Sequence, residues 1–146
     1  MSKVKIVVLS LLLLLCITGC AIFPNNDNPK SISIENELKD ELNSIRQLPE
    51  ATLKSSNSSH KEKLAVVGGA YITKHNYNEI RKYYDVEFAN HGWQFINEVN
   101  DKEWGKDLGG KSAYYRKGEY VLTLQYAGEN ANYGWTYGID LSWGLH

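Results

Sequence analysis

Cysteine is scarce in this sequence of 146 residues, which has only two, Cys16 and Cys20. A domain formed by the residues after Cys20 therefore has no disulfide, no thiolate metal site and no cysteine nucleophile. Its stability must come from packing. The same residues contain all ten Tyr, four Trp and three Phe of the chain. This composition predicts a core built largely from aromatic side chains.

Catalytic and metal-binding motifs are also lacking. The four histidines are isolated from one another: His60, His75, His91 and His146. The sequence has no Gly-x-Ser-x-Gly, no phosphate-binding loop and no dinucleotide fingerprint. Asp101, Glu103 and Asp107 lie near glycines, but their order does not match a calcium-binding EF-hand, and we interpret them as a solvated hairpin loop. We therefore expect no enzyme activity, no cofactor and no metal.

Basic residues are not in excess. The chain has 16 Lys and Arg against 17 Asp and Glu, and loss of Lys3 and Lys5 with an N-terminal signal would leave 14 basic residues. Nucleic acid binding depends on a basic surface that neutralises phosphates. We therefore expect no nucleic-acid partner.

The only long apolar run lies near the N-terminus. Lys3 and Lys5 precede an apolar core from Ile6 to Leu15 that only Ser10 interrupts. This core is shorter than the roughly 20 residues that a membrane-spanning helix needs, but it suits a secretory signal. Residues 1–19 are therefore predicted to be a signal peptide that is removed.

The end of this signal carries a specific motif, Ile17-Thr18-Gly19-Cys20. It resembles the lipobox of bacterial lipoproteins, in which an aliphatic residue, a small residue and Gly or Ala precede Cys. The resemblance implies cleavage between Gly19 and Cys20, and a membrane anchor formed by lipid, including palmitate, on Cys20. Ala21 follows where an Asp would favour the inner membrane. By this analogy, the protein faces the periplasm from the outer membrane if the bacterium has two membranes.

A polar tether and a helix are predicted next. Residues 20–32 include two prolines and three asparagines and are interpreted as a flexible tether. The following apolar residues recur at helical spacing: Ile34, Leu38, Leu42, Ile45 and Leu48. This pattern predicts an amphipathic helix over 33–48, capped by Ser33 and stopped by Pro49. The helix either packs on the domain, forms a stalk, or pairs with a partner helix.

Residues 49–146 are predicted to form one α+β domain. Two strands are expected at Ala51–Ser55 and Leu64–Thr73, separated by a polar turn. Asn76 and Glu79 have the spacing of a capping box, which predicts a helix beginning there. Gly92 suits the left-handed position that ends a helix, and Trp93 begins the next strand.

The later segments alternate between apolar and polar residues with a period of two. This alternation is weak in Ser112–Arg116 but clear from Tyr120 to Tyr126 and from Trp135 to Trp143. It predicts antiparallel strands with one buried face. We therefore predict a sheet of five to six strands in the order ββαββββ, with one main helix on one face and the amphipathic helix before it. The last four strands form a meander.

A second resemblance rests on Tyr83-Tyr84 followed by Gly92-Trp93, with Leu48–Thr52, Tyr71–Thr73 and Lys117–Tyr120 around them. The pattern is similar to small, mostly uncharacterised bacterial lipoprotein domains in which a Tyr-Tyr helix leads into a Gly-Trp strand. The resemblance covers roughly Leu48 to Trp143. It implies a fold but no catalytic residues.

Trp104 and Tyr133 have no evident place on the buried faces, because one lies in a polar loop and the other beside Gly134. Exposed aromatic residues suit contacts with proteins and with sugar rings. We expect a membrane-anchored, non-enzymatic binding or assembly module whose partner is another envelope protein. The alternatives are an immunity or inhibitor lipoprotein against a periplasmic toxin, and a binder of wall glycan or a small ligand.

Overall fold

The computed structural model describes residues 28–129 and 134–144. Its elements, in chain order, are α1 (Pro29–Ser44), β1 (Thr52–Lys61), β2 (Leu64–Ile72), α2 (Tyr77–Asn90), β3 (Gln94–Glu103), β4 (Lys106–Lys117), β5 (Tyr120–Tyr126) and β6 (Tyr137–Trp143). Within these described residues, neither helix combines the length and the apolarity that crossing a bilayer requires.

The six strands form one antiparallel sheet with the order β1-β2-β6-β5-β4-β3. The predicted α+β class, the ββαββββ order and the meander of the last four strands are confirmed. Both helices pack on one face of the sheet, where they share a single core with it. The opposite face, which we call the open face, is not covered by any described helix.

The core contains a cluster of aromatic side chains among a larger number of aliphatic ones, so the predicted, largely aromatic core is confirmed only in part. The largest fully buried side chains include Tyr84, Tyr115, Tyr137 and Phe88. Phe88 stacks on Tyr84 at 5.0 Å between ring centroids and meets Tyr115 edge-on at 4.9 Å. Because α2 places Tyr84 and Phe88 on one side, one turn apart, both rings reach the sheet.

The predicted capping of α2 is confirmed at both ends. The Asn76 side chain accepts a hydrogen bond from the Glu79 backbone N–H at 3.1 Å, and the Glu79 carboxylate accepts one from the Asn76 N–H at 2.9 Å. Gly92 follows the helix with a φ of 81°. A side chain in this left-handed conformation is strained, which explains the glycine.

Helix α1 begins and ends four residues earlier than predicted. Its N-cap is Asn28, whose side chain accepts a hydrogen bond from the Lys30 N–H at 3.0 Å, and Pro29 occupies the first helical position, where its missing N–H costs nothing. Residues 29–32 therefore belong to the helix and not to a tether. Ile45 and Leu48 are buried in the extended segment after the helix, so their spacing imitated a helical pattern.

Helix α1 is part of the domain. Ile34 and Leu38 are buried in the shared core. On its other side, Glu41 accepts hydrogen bonds from the indole Nε1 of Trp93 at 2.9 Å and from Lys117 Nζ at 2.8 Å. These contacts support the first of the three alternatives for this helix, in which it packs on the sheet.

Two hairpins are longer than predicted. β1 continues to Lys61 through residues 57–60, which were predicted to be a turn. β1 is an edge strand with nearly all its side chains exposed. Polar serines and asparagine are therefore compatible with a strand here. Similarly, Asp101 lies in β3 and Asp107 in β4, not in a loop. The Ser112 hydroxyl donates to Asp101 Oδ2 at 2.7 Å, which allows the carboxylate to sit within the ladder.

Candidate functional site

The β3–β4 hairpin ends in a turn formed by Trp104 and Gly105, which we call the hairpin tip. Their φ angles are 52° and 78°, so both residues are left-handed. Two-residue hairpin turns favour this combination because it matches the twist of the strands, and Asn-Gly is its usual sequence. Here a tryptophan occupies the position of the asparagine.

The Trp104 side chain is 96% exposed. A bulky residue at positive φ is strained, and an exposed indole recovers none of that cost by packing. Tryptophan at this position therefore stabilises neither the turn nor the fold. The sequence left open whether Trp104 is exposed or folds back over the sheet edge, and the structure shows it exposed.

The hairpin tip continues into an exposed edge. β3 is the last strand of the sheet, so one side of its backbone has no strand partner among the residues that the structure describes. Phe95, Ile96 and Val99 on this strand are exposed by 51%, 48% and 39%. Two register shifts, between Phe95 and Asn97 and between Asp101 and Lys102, bend the strand. Such irregularities and charges limit uncontrolled pairing at an edge while leaving side chains accessible.

Other residues predicted to be functional lie outside the described residues. These are Gly19 and Cys20 at the predicted cleavage and lipidation site, and Tyr133 beside the last strand. The structure does describe the neighbour of Tyr133. Gly134 has a φ of 72°, and its carbonyl accepts a hydrogen bond from Lys54 Nζ at 2.6 Å.

A second site, which sequence reasoning missed, is a cavity of about 200 Å³ on the open face. We call it the open-face groove. Its lining includes Ser55, Asn57, Ala70, Gln125, Trp135 and Asp140. The groove exists because β2 and β6 place glycines here: Gly68 pairs with Asp140, and Gly138 pairs with Ala70. The Gly68-Gly69 pair in the sequence was the only local signal.

Asp140 lies over Gly68 in this groove. A Cβ atom added to Gly68 would be only 1.8 Å from Asp140 Oδ1, so the carboxylate occupies the space that a side chain would need. Burial raises the pKa of Asp140 above its usual range. The carboxylate has no hydrogen-bond or ion-pair partner among residues 28–129 and 134–144.

The two carboxylates that are buried within the described part of the chain, Glu35 and Glu87, are both paired. Glu35 contacts Lys39 Nζ at 2.5 Å and also His60, and these two partners lower its pKa to about 2. Glu87 accepts hydrogen bonds from the Arg46 side chain, with Nη2 to Oε2 at 2.9 Å, and this contact lowers the pKa of Glu87. Both groups connect segments of the fold. Their pairing explains their burial without any catalytic role.

The histidines of the described region also contact carboxylates and do not gather. His75 lies 3.4 Å from Glu79, and His91 lies 3.3 Å from Glu87. In the part of the chain that the structure describes, no three His, Cys, Asp or Glu residues group closely enough to hold a metal ion.

Comparison of the chain with protein-family models, with curated proteins and with solved structures gave no match. No enzyme family or enzyme fold is therefore indicated by similarity.

Proposed function

We propose that this protein is a lipid-anchored module of the bacterial cell envelope that binds another envelope protein through its hairpin tip. It has no enzymatic role in this proposal. Lipid on Cys20 holds the domain at the membrane, and Trp104 provides the principal contact with the partner. The observation that carries the proposal is the fully exposed tryptophan at a left-handed backbone position.

The position of α1 supports this arrangement. Asn28, at the start of α1, donates a hydrogen bond from Nδ2 to the backbone carbonyl of Glu62, in the turn between β1 and β2, at 2.7 Å. The domain therefore begins at the end of the sheet where this turn lies. In the proposed arrangement, this is the end nearer the membrane. Eight residue steps separate Cys20 from Asn28, which allows a span of at most about 28 Å.

The hairpin tip lies at the opposite end of the sheet. The pairing of Ala65 with Trp143, Trp143 with Tyr120 and Tyr120 with Lys117 defines the end near the anchor. β3 begins at that end and runs for ten residues, or about 33 Å, towards Trp104. In the proposed arrangement, the exposed indole therefore points away from the bilayer and is available to a protein partner.

An exposed tryptophan is well suited to protein recognition. It provides a large rigid contact area with little loss of side-chain entropy, and hot spots of interfaces are enriched in it. Phe95, Ile96 and Val99 extend the apolar contact area along the free edge of β3. A partner segment in extended conformation could add to this edge by backbone hydrogen bonds while it covers Trp104.

Site-specific photocrosslinking in the native envelope tests the proposal. A photoreactive phenylalanine analogue replaces the exposed Lys106, beside the hairpin tip, in one full-length variant and Val86 in another, so that Trp104 is retained in both. Val86 is 61% exposed but lies on α2, away from the hairpin tip. We expect one defined protein adduct from position 106 and none from position 86. Adducts that are absent, or identical from both positions, would contradict the proposal.

Trp104→Asn provides the matched loss-of-contact variant. Asparagine tolerates positive φ, so the variant should fold with unchanged or higher stability. Co-purification of the crosslinked partner should nevertheless fall by at least about tenfold, since a hot-spot residue contributes 2 kcal/mol or more. A folded variant that retains the partner would show that Trp104 is not the contact.

A further inference from the structure

The open-face groove is independent of the hairpin tip and carries its own chemistry. Its volume of about 200 Å³ suits a small molecule or a single functional group. The floor is formed where β2 and β6 pair, and the missing side chain of Gly68 makes room for the Asp140 carboxylate. The site therefore depends on a glycine and an aspartate that lie more than 70 residues apart in the chain.

Two oxygen atoms converge over Gly68. The position of a Cβ on this glycine would be 1.8 Å from Asp140 Oδ1 and 2.8 Å from Asn57 Oδ1. The two oxygens therefore lie close to each other, and both are acceptors. A single ligand group with several N–H donors, placed on their solvent side, can donate to both.

The charge of the groove is also uncompensated. Asp140 forms no ion pair with any described residue, and no Lys or Arg is among the residues that line the groove. The nearby Lys54 directs its ammonium group to the Gly134 carbonyl at 2.6 Å. Partial burial of a carboxylate is unfavourable unless a cation or donors replace the lost water. A partly buried Asp140 with no cation beside it among the described residues therefore favours a positively charged ligand.

Trp135 is the aromatic residue in the described lining, and Ser55 and Gln125 provide further polar atoms. An aromatic ring attracts an ammonium group by cation–π interaction and also covers the methylene groups next to it. An alkylammonium ion has chemistry complementary to these groups. Its charged N–H donors suit the carboxylate and the amide oxygen, and its carbon chain suits the indole.

We propose that the open-face groove binds the primary ammonium group of a small aliphatic amine, with Asp140 as its counter-ion. Asn57 accepts a second N–H of the same group, and Trp135 contacts the adjacent carbon chain. The amine is either a free diamine or the ethanolamine portion of a lipid headgroup, which share this chemistry.

Isothermal titration or NMR titration of the lipid-free domain, residues 21–146 with the full fold retained, measures binding of three probes. Putrescine represents the free diamine, phosphoethanolamine represents the headgroup, and 1,4-butanediol is a neutral molecule of nearly the same shape as putrescine. We expect at least one amine to bind and the diol not to bind. The stronger amine identifies the source.

Asp140→Asn is the decisive variant because it keeps the shape of the side chain and removes only its charge. We expect amine binding to weaken by at least about tenfold, as for loss of a charged hydrogen bond. Asp40→Asn makes the same change of charge on an exposed position of α1 and should leave binding unchanged. Asn57→Ala, on an exposed edge strand, should weaken binding by a smaller factor.

Each of the following results would overturn the proposal: no binding of either amine to the wild-type domain, equal binding of the diol, or undiminished binding by a folded Asp140→Asn variant. Binding of neutral sugars in preference to amines would also overturn it and would favour a glycan site. Trp104→Asn should bind amines as the wild type does, so failure of this proposal is separate from failure of the proposed function.

Discussion

The hydroxyl oxygens of Tyr84 and Tyr137 lie 2.9 Å apart and share a hydrogen bond in the centre of the core. Tyr84 also accepts a hydrogen bond from the Leu48 N–H at 3.1 Å. Three segments are thus connected through one buried oxygen: the extended chain after α1, helix α2 and strand β6. Because the groups are buried, each depends on the others to satisfy its hydrogen bonds.

Replacing Tyr84 by Phe removes this shared oxygen. The Leu48 N–H and the Tyr137 hydroxyl both lose a partner, so we expect the free energy of unfolding to fall by about 2–4 kcal/mol. Tyr137→Phe should cost less, because Tyr84 keeps its bond to Leu48. Urea unfolding of the two variants measures the difference. An equal loss in both would show that the Leu48 contact contributes nothing.

Alkaline pH should destabilise the same network. Burial raises the pKa of Tyr84 to about 12, compared with 10.0 for an unperturbed tyrosine. The neutral form is therefore favoured in the folded state, so stability is fully present below pH 10 and is lost as pH rises towards 12. Thermal unfolding followed between pH 8 and 12 should show this fall, and Tyr84→Phe should reduce its steepness. A pH-independent melting temperature would contradict this assignment.

Low pH should destabilise the folded domain through protonation of Glu35. Lys39 and His60 lower its pKa to about 2 from 4.5, so its contribution is present above pH 4.5 and is lost as pH falls to about 2. We expect Glu35→Gln to lower the melting temperature by a few degrees at pH 7 and to have little effect at pH 2. Glu37→Gln, on the same helix but exposed, serves as the control. A constant difference at all pH values would show that charge is not the cause.

Asp140→Asn should stabilise the free domain at neutral pH. Burial raises the pKa of Asp140, so its contribution to stability is greatest below the unfolded pKa of 3.8 and declines as pH rises. The variant should therefore melt at a higher temperature than the wild type at pH 7, and at nearly the same temperature at pH 3. Lower stability of the variant at pH 7 would mean that the ionised carboxylate is compensated within the fold.

The proposed anchor has a direct chemical test. Cys20→Ser removes the thiol that would receive lipid, so we expect no incorporation of labelled palmitate and accumulation of the unprocessed precursor. Cys16→Ser should be labelled normally, since Cys16 would leave with the signal peptide. Undiminished labelling of the Cys20→Ser variant would exclude lipidation at this residue.

The sequence by itself determined those features that depend on neighbouring residues. Alternation of apolar residues from Tyr120 to Tyr126 defined a strand, and Asn76 with Glu79 defined the start of α2. The predicted end of α1 was wrong because helical spacing of apolar residues continues into the extended segment after the helix. The predicted length of the β3–β4 hairpin was wrong because polar residues continue into the edge strand β3. Edge strands need no burial, so they have no apolar pattern to detect.

Only the tertiary structure decided the rest. It joined β2 to β6, laid Asp140 over Gly68 beside Asn57, and placed the hairpin tip opposite the end where α1 begins. None of these relations has a local signature, because each arises when strands distant in the chain come into register. Periodicity along a chain encodes which face of a strand is buried, whereas the choice of its neighbours depends on packing of the whole sheet.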